Sequence, residues 1–409
     1  MNSDLILIGT PFFSDILLMG YLSILSITWF LMIFSIANWG RGWELEEPDQ
    51  SQQERAFYPL LSICIPARNE AENIAAAVEA ALKTDWPNFE LLVVDDRSDD
   101  DTAAIAEKAA KGDPRFRLVS GVEPAQGWAG KPWACYRAAK EAKGSWLLFV
   151  DADVQIHPKA VAASMDVAMS RDLALLSLFG SWSLESFWER ALIPAVGWLI
   201  RGTIDFEKMN STSHPDAFAN GQYIMVQRAK YMIVEGHAVV RSEVLEDVRL
   251  AQAMKRAGLS VEIRPAAWAF KVRLYRSFAE IVNGYTKNMY EGLGRNPIMG
   301  LGAALFLFVG SLLPLLLLLA GLYFRLIMHY NIPSVYWLFW LLLIVLLQFL
   351  FRLRIEWRDA RSGWGMLTQP IAATMLIVIL LRSTIKVEVS WKGRQFVDGK
   401  SLNQTDGGS

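Results

Sequence analysis

Two carboxylates, Asp151 and Asp153, directly follow an uncharged apolar run in the stretch LLFVDADVQI, residues 147–156. Such a run predicts a buried strand, which would end on two acidic side chains one residue apart. Carboxylates held this close repel each other unless a cation lies among them. Their oxygens are hard ligands that suit Mg²⁺ or Mn²⁺. The spacing therefore predicts a divalent metal site at the end of a strand.

Two further predicted strands also end in charged residues. LLSICIP closes on the segment PARNE, which contains Pro66, Arg68 and Glu70, and FELLVVDD closes on Asp95 and Asp96. Because ligands bind beyond the carboxyl ends of parallel strands, we expect the three strand ends to converge on one ligand. A metal held there would bind the diphosphate of that ligand and neutralise its charge as it leaves.

The elements that would position these residues alternate between strand and helix. FELLVVDD is followed by a helical segment (DDDTAAIAEKAAK), a strand (FRLVS), a second helix (WACYRAAKEAK) and the strand that ends at Asp151. This alternation predicts an α/β fold in which helices cover both faces of a Rossmann-like, parallel-rich sheet. GWAGKP, residues 127–132, lacks the hydroxyl that follows the lysine of a P-loop, and no GxGxxG follows the first strand. Both absences argue against P-loop ATPases and dinucleotide dehydrogenases.

Composition argues against several other classes of protein. The net charge of −2 gives no basic field for nucleic acid, so no nucleic-acid partner is expected. Two cysteines, Cys64 and Cys135, and four histidines are too few for a disulfide framework or a zinc site. Both cysteines lie in apolar contexts, where we expect small buried side chains.

Four apolar stretches are long enough to cross a bilayer. A buried core helix is the alternative for each, but all four lie outside the mixed-composition middle of the chain, which favours membrane spans. The first has no basic segment before it and is too long for a signal peptide, so it predicts an uncleaved anchor. The predicted organisation is an anchor over residues 1–45, an α/β domain over 55–295, three apolar segments over 296–385, and a basic tail over 386–409.

The distribution of basic residues predicts the orientation of these spans. Residues 1–15 contain no Lys or Arg, Arg41 follows the first span, and the predicted loop RLRIEWRDAR between the third and fourth spans holds four arginines. Lys and Arg accumulate on the cytoplasmic side, which predicts a multi-pass protein with a cytoplasmic middle domain. Four spans would then place the basic tail outside, in conflict with the same rule, so the side of the tail stays open.

The motifs together resemble glycosyltransferase family 2, the inverting enzymes with the GT-A fold, over about Pro59 to Gly258. PARNE, VVDDRSDD, DADV and the acidic pair of EDVRLAQAMKRAG carry the resemblance. GWAGKPWAC, NGQYIMVQRAKY, GHAVVRSEVLEDVRLA and VSWKGRQF more narrowly resemble membrane enzymes that glycosylate lipids, namely hopanoid-associated and carotenoid glycosyltransferases, with ceramide glucosyltransferase more distant. This resemblance implies transfer of a hexose from a nucleotide sugar, with UDP-glucose expected, to a lipid hydroxyl in a bacterial inner membrane.

The resemblance also implies roles for individual residues. The expected donor-binding residues are Pro66, Arg68, Glu70, Asp95, Asp96, Lys131 and Asp151. Asp151 and Asp153 would hold Mg²⁺ or Mn²⁺. Asp247 would be the base that takes the proton of the acceptor hydroxyl. An acidic residue in the first turn of a helix is the alternative reading of Asp247, and the two are compatible.

The acceptor side is less well marked. The residues expected there are Gln222, His237, Glu246, Tyr285 and Lys287. A lone His is more often structural, although His237 lies ten residues before Asp247. Many relatives carry a QxxRW motif where this chain has IVNGYTKNMYEG, so that Ile281, Gly284 and Tyr285 replace its Gln, Arg and Trp. We expect Lys287 or Arg295 to supply the missing positive charge.

Two amphipathic segments, about 184–202 and 278–295, flank the expected base in sequence. Their tryptophans and charges predict helices in the membrane interface, through which a lipid would reach the site; a core helix of the middle domain is the alternative for the first. A polysaccharide or polyprenyl-phosphate glycosyl synthase is the closest alternative function, which the missing QxxRW disfavours. A catalytically decayed membrane scaffold is another, which the intact aspartates disfavour. The oligomeric state is not indicated.

Overall fold

A computed structural model describes residues 9–48, 57–243, 245–329 and 335–385, together with short strands at 389–391, 394–397 and 400–401. The predicted basic tail, residues 386–409, therefore lies mostly outside the described residues. The chain forms two compact units. Unit 1 comprises Met1–Trp39, Glu185–Thr203 and Ser277–Ile385, and unit 2 comprises Gly40–Leu184, Ile204–Arg276 and Lys386–Ser409.

The principal elements follow one another as strands and helices from residue 9 to residue 383. In chain order they are α1 (Gly9–Asn38), β1 (Leu61–Ala67), α2 (Ile74–Leu82), β2 (Phe89–Asp95), α3 (Thr102–Ala110), β3 (Phe116–Ser120), α4 (Gly130–Glu141), β4 (Trp146–Val150), β5 (Val154–Ile156), α5 (Ala160–Ser170), β6 (Leu175–Phe179), β7 (Ser181–Trp182), α6 (Phe187–Arg201), α7 (Phe206–Asn210), β8 (Tyr223–Gln227), α8 (Arg228–Ile233), α9 (Glu246–Arg256), β9 (Val261–Pro265), β10 (Phe270–Val272), α10 (Phe278–Gly292), α11 (Pro297–Leu307), α12 (Leu313–Leu326), α13 (Val335–Arg358) and α14 (Gln369–Ser383).

Unit 2 is built on a seven-stranded mixed sheet with the strand order β3-β2-β1-β4-β8-β6-β9. Strand β8 runs antiparallel to both of its neighbours, and the other pairs are parallel. A smaller sheet has the order β5-β10-β7. The expected α/β, parallel-rich sheet is confirmed. The SWLLFVDADV strand is split into β4 and β5, and the two aspartates lie between them.

The central strands are continuous apolar runs because both faces of the sheet are covered. Ile63 and Val93 face one buried core, which also contains residues of α2, α3 and α5. Cys64 and Leu92, one residue away on the same strands, face a second core with residues of α4 and α9. Cys64 and the other cysteine, Cys135, are buried free thiols, as expected. This two-sided packing holds the carboxyl ends of β1, β2 and β4 in fixed positions.

Among its described residues, unit 1 contains four helical segments long and apolar enough to cross a membrane: Ile16–Asn38, Pro297–Leu326, Tyr336–Arg358 and Trp364–Ser383. They correspond to the four predicted apolar stretches. The prediction that RLRIEWRDAR, residues 352–361, forms a loop is wrong, because helix α13 continues to Arg358. Arg352, Ile355 and Glu356 follow helical spacing and are all buried, so packing extends the helix past the apolar run.

The second of these segments is interrupted by a π-helical turn, Phe308–Leu312, between α11 and α12. Side chains of two other helices bond its carbonyl groups. The Tyr21 hydroxyl donates to the Val309 oxygen at 2.6 Å, and the Trp29 indole donates to the Gly310 oxygen at 3.0 Å. The Gln348 amide donates to the Ser311 oxygen at 3.1 Å. These bonds tie α1 and α13 to the turn.

The two amphipathic helices, α6 and α10, belong to unit 1. Helix α6 begins with a capping box, in which Ser186 and Glu189 exchange hydrogen bonds, and it buries Leu192, Ile193 and Val196. We expected both helices within the 55–295 domain, but they are grouped with the long apolar helices. Residues 187–201 therefore do not form a core helix of the middle domain. The predicted domain boundaries, and placement of α6 and α10 in the interface, stay predictions.

Candidate active site

Hydrogen bonds join the loops that follow β1 and β2. Arg68 Nη1 donates to the main-chain oxygen of Asp96 at 2.7 Å. The main-chain N–H of Asn69 donates to Ser98 Oγ at 3.0 Å, and that of Asp99 donates to Asn69 Oδ1 at 2.8 Å. Asn69 has a positive φ of 51°, a conformation that Asn adopts more readily than most residues. The two strand ends therefore form one ordered rim.

The remaining residues of this rim are also held by the fold. The main-chain N–H of Glu70 donates to Thr102 Oγ1 at 2.8 Å, which fixes the PARNE segment against the start of α3. Pro66 lies in β1 beside β2. Asp95 ends β2, and its Oδ1 is buried and accepts no hydrogen bond from the described residues. Contact of these residues with a nucleoside stays a prediction.

Lys131 joins two parts of the expected site. Its Nζ lies 2.7 Å from Asp151 Oδ1, at the end of β4, and 3.0 Å from Glu246 Oε1, at the start of α9. Burial disfavours the charged ammonium, but Asp151, Glu246 and Asp247 together raise the pKa of Lys131 well above its usual value. A charged lysine therefore links the expected donor-binding residues with the expected base.

Asp247 is fixed by two main-chain groups. The N–H of Gly221 donates to its Oδ2 at 2.7 Å, and the N–H of Val248 donates to its Oδ1 at 2.8 Å. Burial and the neighbouring carboxylate of Glu246 raise the pKa of Asp247 to about 7, against the lowering effect of Lys131 and both N–H groups. A carboxylate that titrates near neutral pH suits a general base.

Asp151 and Asp153 have the properties of an open metal site. Burial and the charge of Asp151 raise the pKa of Asp153 to about 7, and Asp153 Oδ1 is buried without a donor among the described residues. The described ranges contain no group of three or more His, Cys, Asp or Glu that could hold a metal. A divalent ion would thus need oxygens from a phosphate ligand as well, which is how Mg²⁺ commonly binds. The pair fits Mg²⁺ or Mn²⁺ in such a shared site.

Two residues near this site were not predicted. A Cβ on Gly221 would lie 3.0 Å from both Asp247 Oδ2 and Lys131 Nζ, so a larger residue there would require both side chains to shift. A glycine two residues before a strand was an available signal for such close approach. Arg276 donates to Asn73 Oδ1 at 2.6 Å, and its charge acts to lower the pKa of Asp153. No motif marked Arg276.

The predicted acceptor-side residues are placed differently from one another. Glu246 contacts Lys131, and Gln222 accepts a hydrogen bond from Asn220 beside Gly221. His237 is buried, with Nδ1 2.7 Å from the Tyr231 hydroxyl, and burial lowers the pKa of His237 to about 3. This placement favours the structural interpretation of His237.

The other two acceptor-side residues, Tyr285 and Lys287, lie on α10 in unit 1. Tyr285 is buried on that helix. Their roles, and that of His237 at an acceptor site, stay predictions.

Three comparisons describe what this chain is similar to. Residues 62–231 match the family model described as Glycosyl transferase family 2. A 4,4'-diaponeurosporenoate glycosyltransferase of Staphylococcus aureus (strain MRSA252) is 26% identical over 83% of this chain and 88% of its own length. The protein of that name from Staphylococcus haemolyticus (strain JCSC1435) is 26% identical over 57% and 61%. A mannosyltransferase of Pyrobaculum calidifontis, solved with GDP-Man and Mn²⁺, has the same fold, with a TM-score of 0.50, 16% identity, and coverage of 81% of this chain and 97% of that one.

Proposed function

We propose that this chain, whose residues 62–231 match the glycosyltransferase family 2 model, is a glycosyltransferase that moves one hexose from a nucleotide sugar to a membrane lipid with inversion. The observation that carries the proposal is the position of Lys131, whose ammonium lies within 3.0 Å of both Asp151 and Glu246. Lys131 thereby joins a carboxylate of the expected metal site and the neighbour of the expected base, Asp247, in one site.

The proposed reaction is a single displacement. Asp247 accepts the proton of the acceptor hydroxyl while that oxygen attacks the anomeric carbon, and the bond from this carbon to the diphosphate breaks on the opposite face. The N–H groups of Gly221 and Val248 orient the carboxylate. Lys131 adds positive charge beside the departing diphosphate. A divalent ion on Asp151 and Asp153 would neutralise part of the charge on that leaving group.

The proposed donor is UDP-glucose, as the sequence resemblance implies. The rim formed by the ends of β1 and β2 supports a nucleoside site, because Arg68 orders the main chain at Asp96 and the side chain of Asp96 is buried there. Epimers and other nucleotides are alternatives that substrate trials separate.

The proposed acceptor is a lipid hydroxyl, and a lipid carboxylate is the second candidate. The relatives named above act, by their names, on diaponeurosporenoate, and that ending denotes a carboxylate. A carboxylate oxygen is already deprotonated and needs no base. Retention of Asp247 with a pKa near 7 favours the hydroxyl. Both candidates are apolar molecules that reach the protein from a bilayer.

We also propose that the protein crosses the membrane several times, with unit 2 in the cytoplasm. Within unit 1, Arg358 Nη2 donates to the Trp39 oxygen at 2.5 Å, so the carboxyl ends of α1 and α13 lie on one side. Arg41 follows the first of these ends, and Arg358 and Arg361 lie at the second. Basic residues of this kind mark the cytoplasmic side.

The test is donor turnover by the full chain in liposomes. UDP- and GDP-sugars are supplied with Mg²⁺ or Mn²⁺, with or without chelator, in the presence of bacterial lipid extract. Metal-dependent nucleotide release, stimulated by lipid and yielding a lipid heavier by one hexose in mass spectrometry, is the expected result. A polymeric product would instead indicate a synthase. Absence of turnover with every donor would indicate a decayed scaffold.

A further inference from the structure

Four arginines gather at the carboxyl ends of α6 and α13 in unit 1. We call them the arginine cluster: Arg201, Arg352, Arg358 and Arg361. Arg201, Arg352 and Arg361 share two carboxylates, Glu356 and Asp359, and Arg358 stacks on Trp198 beside them. None of these residues belongs to the candidate active site, and their side chains need a separate explanation.

Each carboxylate of the cluster is divided between two guanidinium groups. Glu356 lies 3.2 Å from Arg352 Nη2 and 3.6 Å from Arg361 Nε. Asp359 pairs with Arg361 and lies 3.6 Å from Arg201 Nη1. Even when the buried carboxylate of Glu189 on the neighbouring helix α6 is included, positive charge exceeds negative charge here.

Several donors of the cluster have no acceptor. The side chain of Arg352 is 0% exposed; its Nη2 donates to the Arg190 oxygen at 2.6 Å, and its Nε donates to the Gly365 oxygen at 3.3 Å. Nη1 of Arg352, and Nε and Nη1 of Arg361, are buried with no hydrogen-bond acceptor among the described residues. A buried charged donor without an acceptor is strongly unfavourable, so an acceptor group is expected at this place.

The excess charge also affects Arg201. Burial, together with the charges of Arg361 and Arg358, lowers the pKa of Arg201 to about 9. Because guanidinium groups stay protonated in proteins, this shift reflects the cost of burying Arg201 and, in addition, the positive charges beside it. An anion would relieve the surplus and would accept the unpaired donors at the same time.

We propose that Arg352 and Arg361 bind the phosphate group of an anionic lipid headgroup. The planar fork of arginine matches phosphate oxygens in pairs. Trp357 and Trp364, which are 56% and 75% exposed, flank the cluster at the end of the apolar helices, where aromatic side chains mark the level of headgroups. Basic pockets between spans at this level bind lipid phosphates. A free phosphate ion has the same chemistry, and the test separates the two sources.

The test compares full-length protein in nanodiscs of phosphatidylcholine alone with nanodiscs that also contain phosphatidylglycerol. We expect phosphatidylglycerol to raise the Tm of the wild type by several degrees and to remain bound in native mass spectrometry. Arg361→Gln should lose most of both effects. Arg354→Gln is the matched control, since Arg354 lies on α13 beside the cluster and forms no ion pair within the described ranges.

A second variant, for which we expect the opposite change in lipid dependence, makes the test decisive. Glu356→Gln removes the carboxylate that Arg352 and Arg361 share, so the Tm should depend more steeply on phosphatidylglycerol. If phosphatidylglycerol has no effect, or if Arg361→Gln responds like the wild type, the lipid proposal is wrong. If instead inorganic phosphate in detergent stabilises the wild type but not Arg361→Gln, the site takes a free anion. This proposal rests on the membrane placement of unit 1 and not on the reaction in unit 2.

Discussion

The candidate active site and the arginine cluster hold opposite surpluses of charge. In unit 2, the carboxylates of Asp151, Asp153, Glu246 and Asp247 surround one lysine, and in unit 1 three of the four clustered arginines share two carboxylates. Neither arrangement is balanced by the side chains that form it. A surplus of one sign suits a ligand of the other sign: the proposed cation with its diphosphate in unit 2, and the proposed phosphate group in unit 1.

The two regions also differ in exposure. Side chains of the active site are partly open, with Lys131 39% and Asp151 27% exposed, whereas Arg352 is 0% exposed. An open site allows a substrate to enter and its product to leave in every cycle. A closed site suits a ligand that stays bound and completes the packing. Four experiments on the acidic region test whether it binds a metal-bound donor and turns it over.

The largest effect is expected on donor binding. Asp153→Asn removes one of the two carboxylates of the expected metal site, and metal-dependent affinity for the nucleotide sugar should fall by about 100-fold or more. Titration calorimetry with and without Mn²⁺ measures the change. Asp101→Asn, at an exposed position after β2, should bind as the wild type does. If Asp153→Asn bound the nucleotide sugar as tightly as the wild type, or if binding survived thorough chelation, the acidic residues would not form a metal site.

The next effect is on transfer alone. Asp247→Asn should bind donor normally and lower kcat by about 10²–10⁴-fold, because an amide cannot take the proton of a hydroxyl. Product formation at saturating donor measures it, and an unchanged circular dichroism spectrum excludes misfolding. A near wild-type rate would remove Asp247 from the reaction and favour a carboxylate acceptor.

The pH profile gives a third, graded effect. The raised pKa of Asp247 means that this side chain is protonated, and inactive as a base, below about pH 7. At saturating metal, kcat/KM should therefore rise about tenfold per pH unit up to that region and then level off. A base with the ordinary pKa of an aspartate would give a flat profile from pH 5 to 8, contrary to this expectation.

The smallest effect concerns orientation. Gly221→Ala places a methyl group 3.0 Å from Asp247 Oδ2 and Lys131 Nζ, so both must shift, and we expect transfer to slow by about tenfold with the fold retained. Gly292→Ala is the matched control, because a Cβ there meets nothing within 4 Å. Equal rates for the two variants would mean that the position of Asp247 is not critical.

The acidic region could be predicted because its signals are local. The apolar runs that became β1, β2 and β4 each end in charged residues, and strand–helix alternation fixes that these ends share an edge. The antiparallel direction of strand β8 could not be predicted from the local sequence pattern, because it depends on pairing with β4 and β6. The contact of Lys131 with Glu246 likewise joins residues that only the folded chain brings together.

For the basic region, the sequence predicted the charge but not the secondary structure. The composition of RLRIEWRDAR correctly indicated a basic segment, but its charges suggested a loop. Arg352 and Glu356 are instead buried on a helix, because they pack against neighbouring helices, and the composition does not reveal that packing. His237 shows the converse case. Its position near a catalytic motif suggested an acceptor-side role, which stays a prediction, whereas its hydrogen-bond partner is the Tyr231 hydroxyl inside the core.

The π-helical turn at Phe308–Leu312 has a consequence for how the protein is made. Trp29 donates its indole N–H to a carbonyl 281 positions later in the chain. During synthesis, Trp29 and Tyr21 are therefore made long before the carbonyl groups that they bond, because most of the α/β unit lies between them in the chain. These hydrogen bonds can form only after residues 309 and 310 have been made, so this contact between helices is a late step of folding.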